Sequence, residues 1–141
     1  MRISTLLLII LSIVAVIGGG FLNFQEFLMG SPANYKNLIV TFSYLLIWIF
    51  ILLISIRFKN RSVLRYCLVF GIGMLVLSLL TIYINVSGAT ANWALIFVIL
   101  LLVQCDWINF FTGSFLISSI ILVFISLLMS IITFMSLKRL K

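Results

Sequence analysis

The sequence predicts an all-α integral membrane protein: a bundle of four transmembrane helices, with an additional short apolar helix, re-entrant or interfacial, before the last span. Three observations carry that prediction. First, 65% of the 141 residues are hydrophobic and 8% are charged, against roughly 45–50% and 25% in soluble domains. A soluble globule this small leaves much of its surface in water and could not hide so much apolar side chain. Second, the apolar residues come in uncharged runs long enough to cross a bilayer. Third, the basic residues gather at the ends of those runs, as in membrane proteins whose cationic loops stay in the cytoplasm.

Nine Lys/Arg against two acidic residues give a net charge of +7, which in a soluble protein would suggest nucleic acid. Placed as they are, the cations fit a bilayer better, and nucleic-acid binding is set aside. Anionic phospholipid headgroups are the expected contact of Arg57, Lys59, Arg61 and Arg65 in the central basic stretch, and of Lys138, Arg139 and Lys141 in the tail. Each such cation near an anionic surface contributes about 1 kcal/mol. Setting topology alone would explain them fully.

The chain reads as one polytopic domain over residues 1–141. Its first span is 5–22: Thr5–Leu22 is 18 residues, about 27 Å of helix, just enough for a ~30 Å hydrocarbon core. A secretory signal is the competing reading, with Gly18 and Gly20 placed like a cleavage site. A retained anchor is favoured because Gly20-Phe21-Leu22 continues apolar and polarity begins only at Asn23. Residues 23–37 then read as a loop, with the turn signal Gly30-Ser31-Pro32. Phe24, Phe27, Leu28 and Met29 would lay this loop on the membrane surface. Spans 38–56 and 66–86 hold 19 and 21 uncharged residues and flank the basic connector. They predict a tight helical hairpin with its turn in the cytoplasm, since exporting four cations is strongly disfavoured.

The last span is 115–137, followed by Lys138-Arg139-Leu140-Lys141. Between spans three and four, Trp93–Cys105 is apolar but only 13 residues long, about 20 Å and short of a crossing. Extended through Phe111 it reaches about 28 Å, but takes in Gln104, Asp106 and Asn109. A fifth crossing would also export the tail's cations. Four spans keep the tail beside the basic connector, so both termini are expected in the cytoplasm. The outline is similar to that of many small polytopic proteins of bacterial plasma membranes, a likeness of outline alone.

Each span carries small or polar residues at helical spacing: Ser12, Ala15, Gly19; Thr41, Tyr44, Trp48, Ser55; Gly71, Ser78, Thr81, Asn85; and Ser119, Ser126, Ser130, Thr133. Such spacing puts each set on one helix face. Packing accounts for these faces, because small residues let helices approach and hydroxyls add about 0.6 kcal/mol each across an interface. A polar path is the sharper alternative, but hydroxyls alone relay ions poorly.

Asp106 is the only acid inside an apolar region, which makes it the default functional candidate. Gln104, Asn85 and Thr81 complete the candidate polar site. The competing account has Asp106 capping a helix at the interface. No histidine, metal spacing, paired carboxylates, nucleophile–base pair or cofactor motif occurs in the sequence. Cys67 and Cys105 are expected on opposite sides of the membrane, which rules out a disulfide between them. The chemistry present therefore points to a non-enzymatic protein acting through helix–helix association with itself or another membrane protein. A minimal transporter or channel with Asp106 in its path is the alternative.

Overall fold

The computed structural model describes residues 3–29, 34–88, 92–94, 96 and 115–141. Four long helices dominate the described residues: α1 (Ile3–Met29), α2 (Tyr35–Arg57), α3 (Arg61–Ser87) and α4 (Phe115–Arg139), with a 3-10 turn at Asn92–Ala94. All four are long and apolar enough to cross a membrane, and no strand occurs among the described residues. Most of the expected short helix at 93–105, and with it the question of a fifth crossing, lies outside the described residues.

The side chains sort in the sense opposite to a soluble core. Thr5, Ser12, Asn23, Asn37, Thr41, Ser55, Ser78, Thr81, Ser130 and Thr133 are buried, while Phe21, Phe42, Val69 and Phe124 stand outward. In water this would leave the apolar surface exposed and the polar groups to be desolvated, both unfavourable. In hydrocarbon the outward faces cost nothing, and the polar groups must be bonded internally. Membrane embedding follows from that sorting.

Two boundaries differ from the expectation. The predicted loop at 23–37 is largely helix: α1 continues to Met29 and α2 starts at Tyr35. Asn23 does not end the span because its amide is bonded inside the bundle, so its desolvation is compensated. In the sequence the turn signal Gly30-Ser31-Pro32 falls between Met29 and Tyr35, whereas the three glycines Gly18, Gly19 and Gly20 lie within α1. Asn34 caps α2 through a reciprocal box: its Oδ1 accepts from Asn37 N–H at 3.2 Å, and Asn37 Oδ1 accepts from Asn34 N–H at 3.0 Å.

The basic connector is shorter than expected, since Arg61 and Arg65 already belong to α3. Only Phe58, Lys59 and Asn60 separate the two helices. Lys59 N–H donates to Ile56 O at 3.2 Å and Asn60 N–H to Ser55 O at 2.9 Å. This is the two-bond closure that ends helices on a left-handed residue. That residue is usually glycine; here it is Lys59, with φ 51°. Asn60 then caps α3, its Oδ1 accepting from Val63 N–H at 3.3 Å. One asparagine thus ends one helix and starts the next. At the far end, Gly88 (φ 67°) closes α3 by donating to Ile84 O.

Contacts fix how three of the helices run. Asn23 meets Asn37 and Thr41 at one end of α1, and Thr5 meets Asn60 at the other, so α1 and α2 are antiparallel. Thr5–Asn60 and Ser12–Tyr66 keep nearly the same offset, so α3 runs parallel to α1. Among the described helices the α3–α4 pair is the most extensive and α1–α2 the next. Helices α3 and α4 approach each other closely where Gly71 faces Ser130.

Candidate functional site

Polar chemistry in the described residues collects at three levels of the bundle. Farthest from the basic turn, Asn23, Asn37 and Thr41 form a cluster with no solvent exposure. Asn37 Nδ2 donates to Asn23 Oδ1 at 2.9 Å, and Asn23 Nδ2 reaches Thr41 Oγ1 at 3.5 Å, the long limit of a hydrogen bond. The α2 capping box holds Asn37 in place from outside. The sequence reading had put Asn23 and Asn37 in a loop. Their spacing carried the missed signal: Asn23 falls four residues after Gly19, and Asn37 four before Thr41.

At mid-depth, aromatic rings join α2 to α3. Trp48 stacks on Phe70 with centroids 4.2 Å apart and on Tyr66 at 6.3 Å, while Tyr44 meets it edge-on at 6.4 Å. The Ser12 hydroxyl donates to Ile9 O at 2.7 Å. Its oxygen is therefore left as the acceptor for Tyr66 O–H at 2.9 Å, which ties α1 to the stack. Trp48 Nε1 is buried and has no acceptor among the described residues.

Five further buried hydroxyls turn back on their own helices. Ser55, Ser78, Thr81, Ser130 and Thr133 each donate to the carbonyl four residues earlier, at 2.6–2.8 Å. Such bonds satisfy a buried hydroxyl without a partner helix. They also take up the one proton each hydroxyl could pass along a relay.

Of the candidate polar site, Asp106 and Gln104 lie outside the described residues. Thr81 is buried, but Asn85 is exposed, and its Nδ2 donates to Thr81 O at 2.8 Å. The pair shares a helix face only in part, with Asn85 bonded along α3 and open to the surroundings.

The third level is the basic turn. Arg57, Lys59, Arg61 and Arg65 are all exposed, as are Lys138, Arg139 and Lys141. Beside the turn lies a cleft of about 660 Å³, walled by the start of α1, the end of α2 and the first residues of α3. Asn60 Nδ2 donates to the buried Thr5 Oγ1 at 2.8 Å and pins the walls together.

No protein family model, curated protein or solved structure matches the chain.

Proposed function

We propose that this is a non-enzymatic membrane protein that works through helix–helix association, as an accessory subunit, an immunity-type protein or a self-assembling bundle. The observation that carries the reading is how the polar faces are used. Small and hydroxyl residues sit where helices meet, and five of the hydroxyls are closed on their own backbones. Such faces favour close packing over conduction. Only 22–28% of each span's apolar window is buried within the chain, so each helix keeps a broad outward face for lipid or a second helix.

The proposed placement is the plasma membrane, with both termini and the basic turn in the cytoplasm against anionic headgroups. Register supports it. Arg61 lies ten residues from Gly71, and Arg139 nine from Ser130, about 15 and 14 Å along their helices. An antiparallel α3–α4 pair meeting at Gly71 and Ser130 would set the tail level with the turn.

Three measurements test the proposal. Single cysteines at positions 59 and 141, in a chain whose native cysteines are replaced, should label from the same side. Purification in mild detergent should recover the chain with a second copy or another membrane protein, and reconstituted vesicles should show no flux. Flux abolished by Asp106→Asn would overturn association in favour of a transport path.

A further inference from the structure

The cleft beside the basic turn is graded in a way that a general attraction to headgroups does not require. At its surface end stand Ser4, Ser62, Lys59 and Arg61; toward the middle of the bundle it is walled by Leu7, Leu8 and Ile54. Four residues separate Ser4 from Leu8, so polarity gives way to hydrocarbon over about 6 Å of helix rise. A phospholipid changes character over a similar depth, from phosphate through glycerol to acyl chain. The volume of about 660 Å³ falls within the ~300–1,000 Å³ of small-molecule sites.

The donors facing that end are not already engaged with each other. Lys59 and Arg61 are exposed, with no ion pair among the described residues. The asparagine between them is engaged elsewhere, capping Val63 N–H and holding Thr5. The turn is also held in one shape by its two closing backbone bonds, which keep Lys59 in the left-handed region that a non-glycine residue rarely adopts. Lys59 on a fixed turn and Arg61 at the positive end of α3 make a defined place for one anionic group.

We infer that this cleft holds one anionic phospholipid, its phosphate between Lys59 and Arg61 and an acyl chain along Leu7, Leu8 and Ile54. The inference rests on the headgroup contact proposed above and narrows it from a surface to a single site. It leaves helix association untouched.

Native mass spectrometry of the full chain in mild detergent, with added dioleoylphosphatidylglycerol or dioleoylphosphatidylcholine, counts bound lipid directly. One phosphatidylglycerol per chain should be retained in preference to phosphatidylcholine. The double substitution Lys59→Gln/Arg61→Gln should weaken its retention about thirtyfold, the effect of two headgroup-level cations, while Lys138→Gln/Arg139→Gln changes it by less than about twofold. Leu7→Trp, which crowds the apolar wall without altering charge, should also weaken it. Excess inorganic phosphate should leave the lipid bound; displacement by phosphate would mark a free-anion site and overturn the lipid assignment. Equal loss from the turn and tail variants would sink the discrete site yet leave diffuse headgroup contact standing. Absence of any phosphatidylglycerol preference would sink both.

Discussion

Replacing Gly71 by alanine asks whether the α3–α4 contact depends on close approach or merely tolerates it. A Cβ added at Gly71 would stand 2.8 Å from Ser130 Oγ, 3.6 Å from Ser130 N and 3.7 Å from Met129 Cγ. Only the first distance is too short, so one atom decides the outcome. That hydroxyl donates to Ser126 O at 2.8 Å. To yield, it must lose a bond with a net value of about 0.5–1.5 kcal/mol or leave its rotamer at a similar cost, and overpacking of this kind costs about 1–3 kcal/mol in all. Against this, alanine favours helix over glycine by roughly 1 kcal/mol. With Ser130 present, Gly71→Ala should run from neutral to about 2 kcal/mol destabilising. In a Ser130→Ala background the obstructing oxygen is gone and ordinary contacts remain, so the same change should stabilise by up to about 1 kcal/mol. A double-mutant cycle by reversible unfolding in mixed micelles, with helicity as readout, should give a coupling of about 1–3 kcal/mol favouring the pair. Coupling within the ~0.3–0.5 kcal/mol of simple additivity would refute the claim that Gly71 is held to glycine by Ser130.

Other substitutions bear on the remaining contacts. Asn23→Leu strands the buried Asn37 amide and should destabilise by about 1–3 kcal/mol, while Asn23→Leu/Asn37→Leu should cost less than the two single changes together in the same unfolding assay. Trp48→Ala empties the ring stack and should cost about 3 kcal/mol or more, whereas Trp48→Phe, which also removes an indole N–H without an acceptor among the described residues, should cost less than half of that. Ser78→Ala and Thr133→Val remove hydroxyls bonded only to their own helix in the contacts described, and each should shift stability by no more than about 0.6 kcal/mol. Lys59→Gly relieves the left-handed backbone and should stabilise the hairpin by up to about 1 kcal/mol, read as a higher unfolding midpoint.

Helix faces were the most legible feature of the sequence, because a 3.6-residue period survives any uncertainty about ends. Ser12, Ala15 and Gly19 are buried, as are Thr41, Tyr44, Trp48 and Ser55, then Gly71, Ser78 and Thr81, then Ser119, Ser126, Ser130 and Thr133. Asn85 departs from its set: α3 has come near its end there, and the side chain is exposed. Helix ends were less legible, and for a definite reason. Asparagine reads as loop when weighed by its own polarity, yet Asn23 and Asn37 satisfy each other across an interface that only the folded chain creates. Likewise no glycine announces the stop after α2. Lys59 takes the left-handed position because Asn60 closes one helix, caps the next and holds Thr5, a tertiary arrangement that outweighs local preference. Of the candidate polar site, Thr81 and Asn85 could be placed, and they do not form a joint inward pocket.

The contrast between the two main helix pairs suggests how the bundle divides its labour. Helices α1 and α2 are pinned near both ends, by the Asn23–Asn37 amides at one and by Asn60 holding Thr5 at the other. Bonds of that kind depend on direction and fix register, since a slip of one residue would strand an amide in hydrocarbon. Helices α3 and α4 meet at Gly71 and Ser130, and their hydroxyls at Ser78, Thr81, Ser130 and Thr133 are already closed on their own turns. There the fit of Gly71 to Ser130 does what the amides do elsewhere, by shape instead of bonding. A partner helix entering the membrane beside this chain could compete with shape more readily than with a buried amide pair, because packing contacts can be exchanged one for another whereas a stranded amide has no substitute in lipid. The outward flanks of α3 and α4 are therefore where an associating helix should be sought first, and cross-linking from exposed positions such as Val69 and Phe124 should capture it before positions on α1 do.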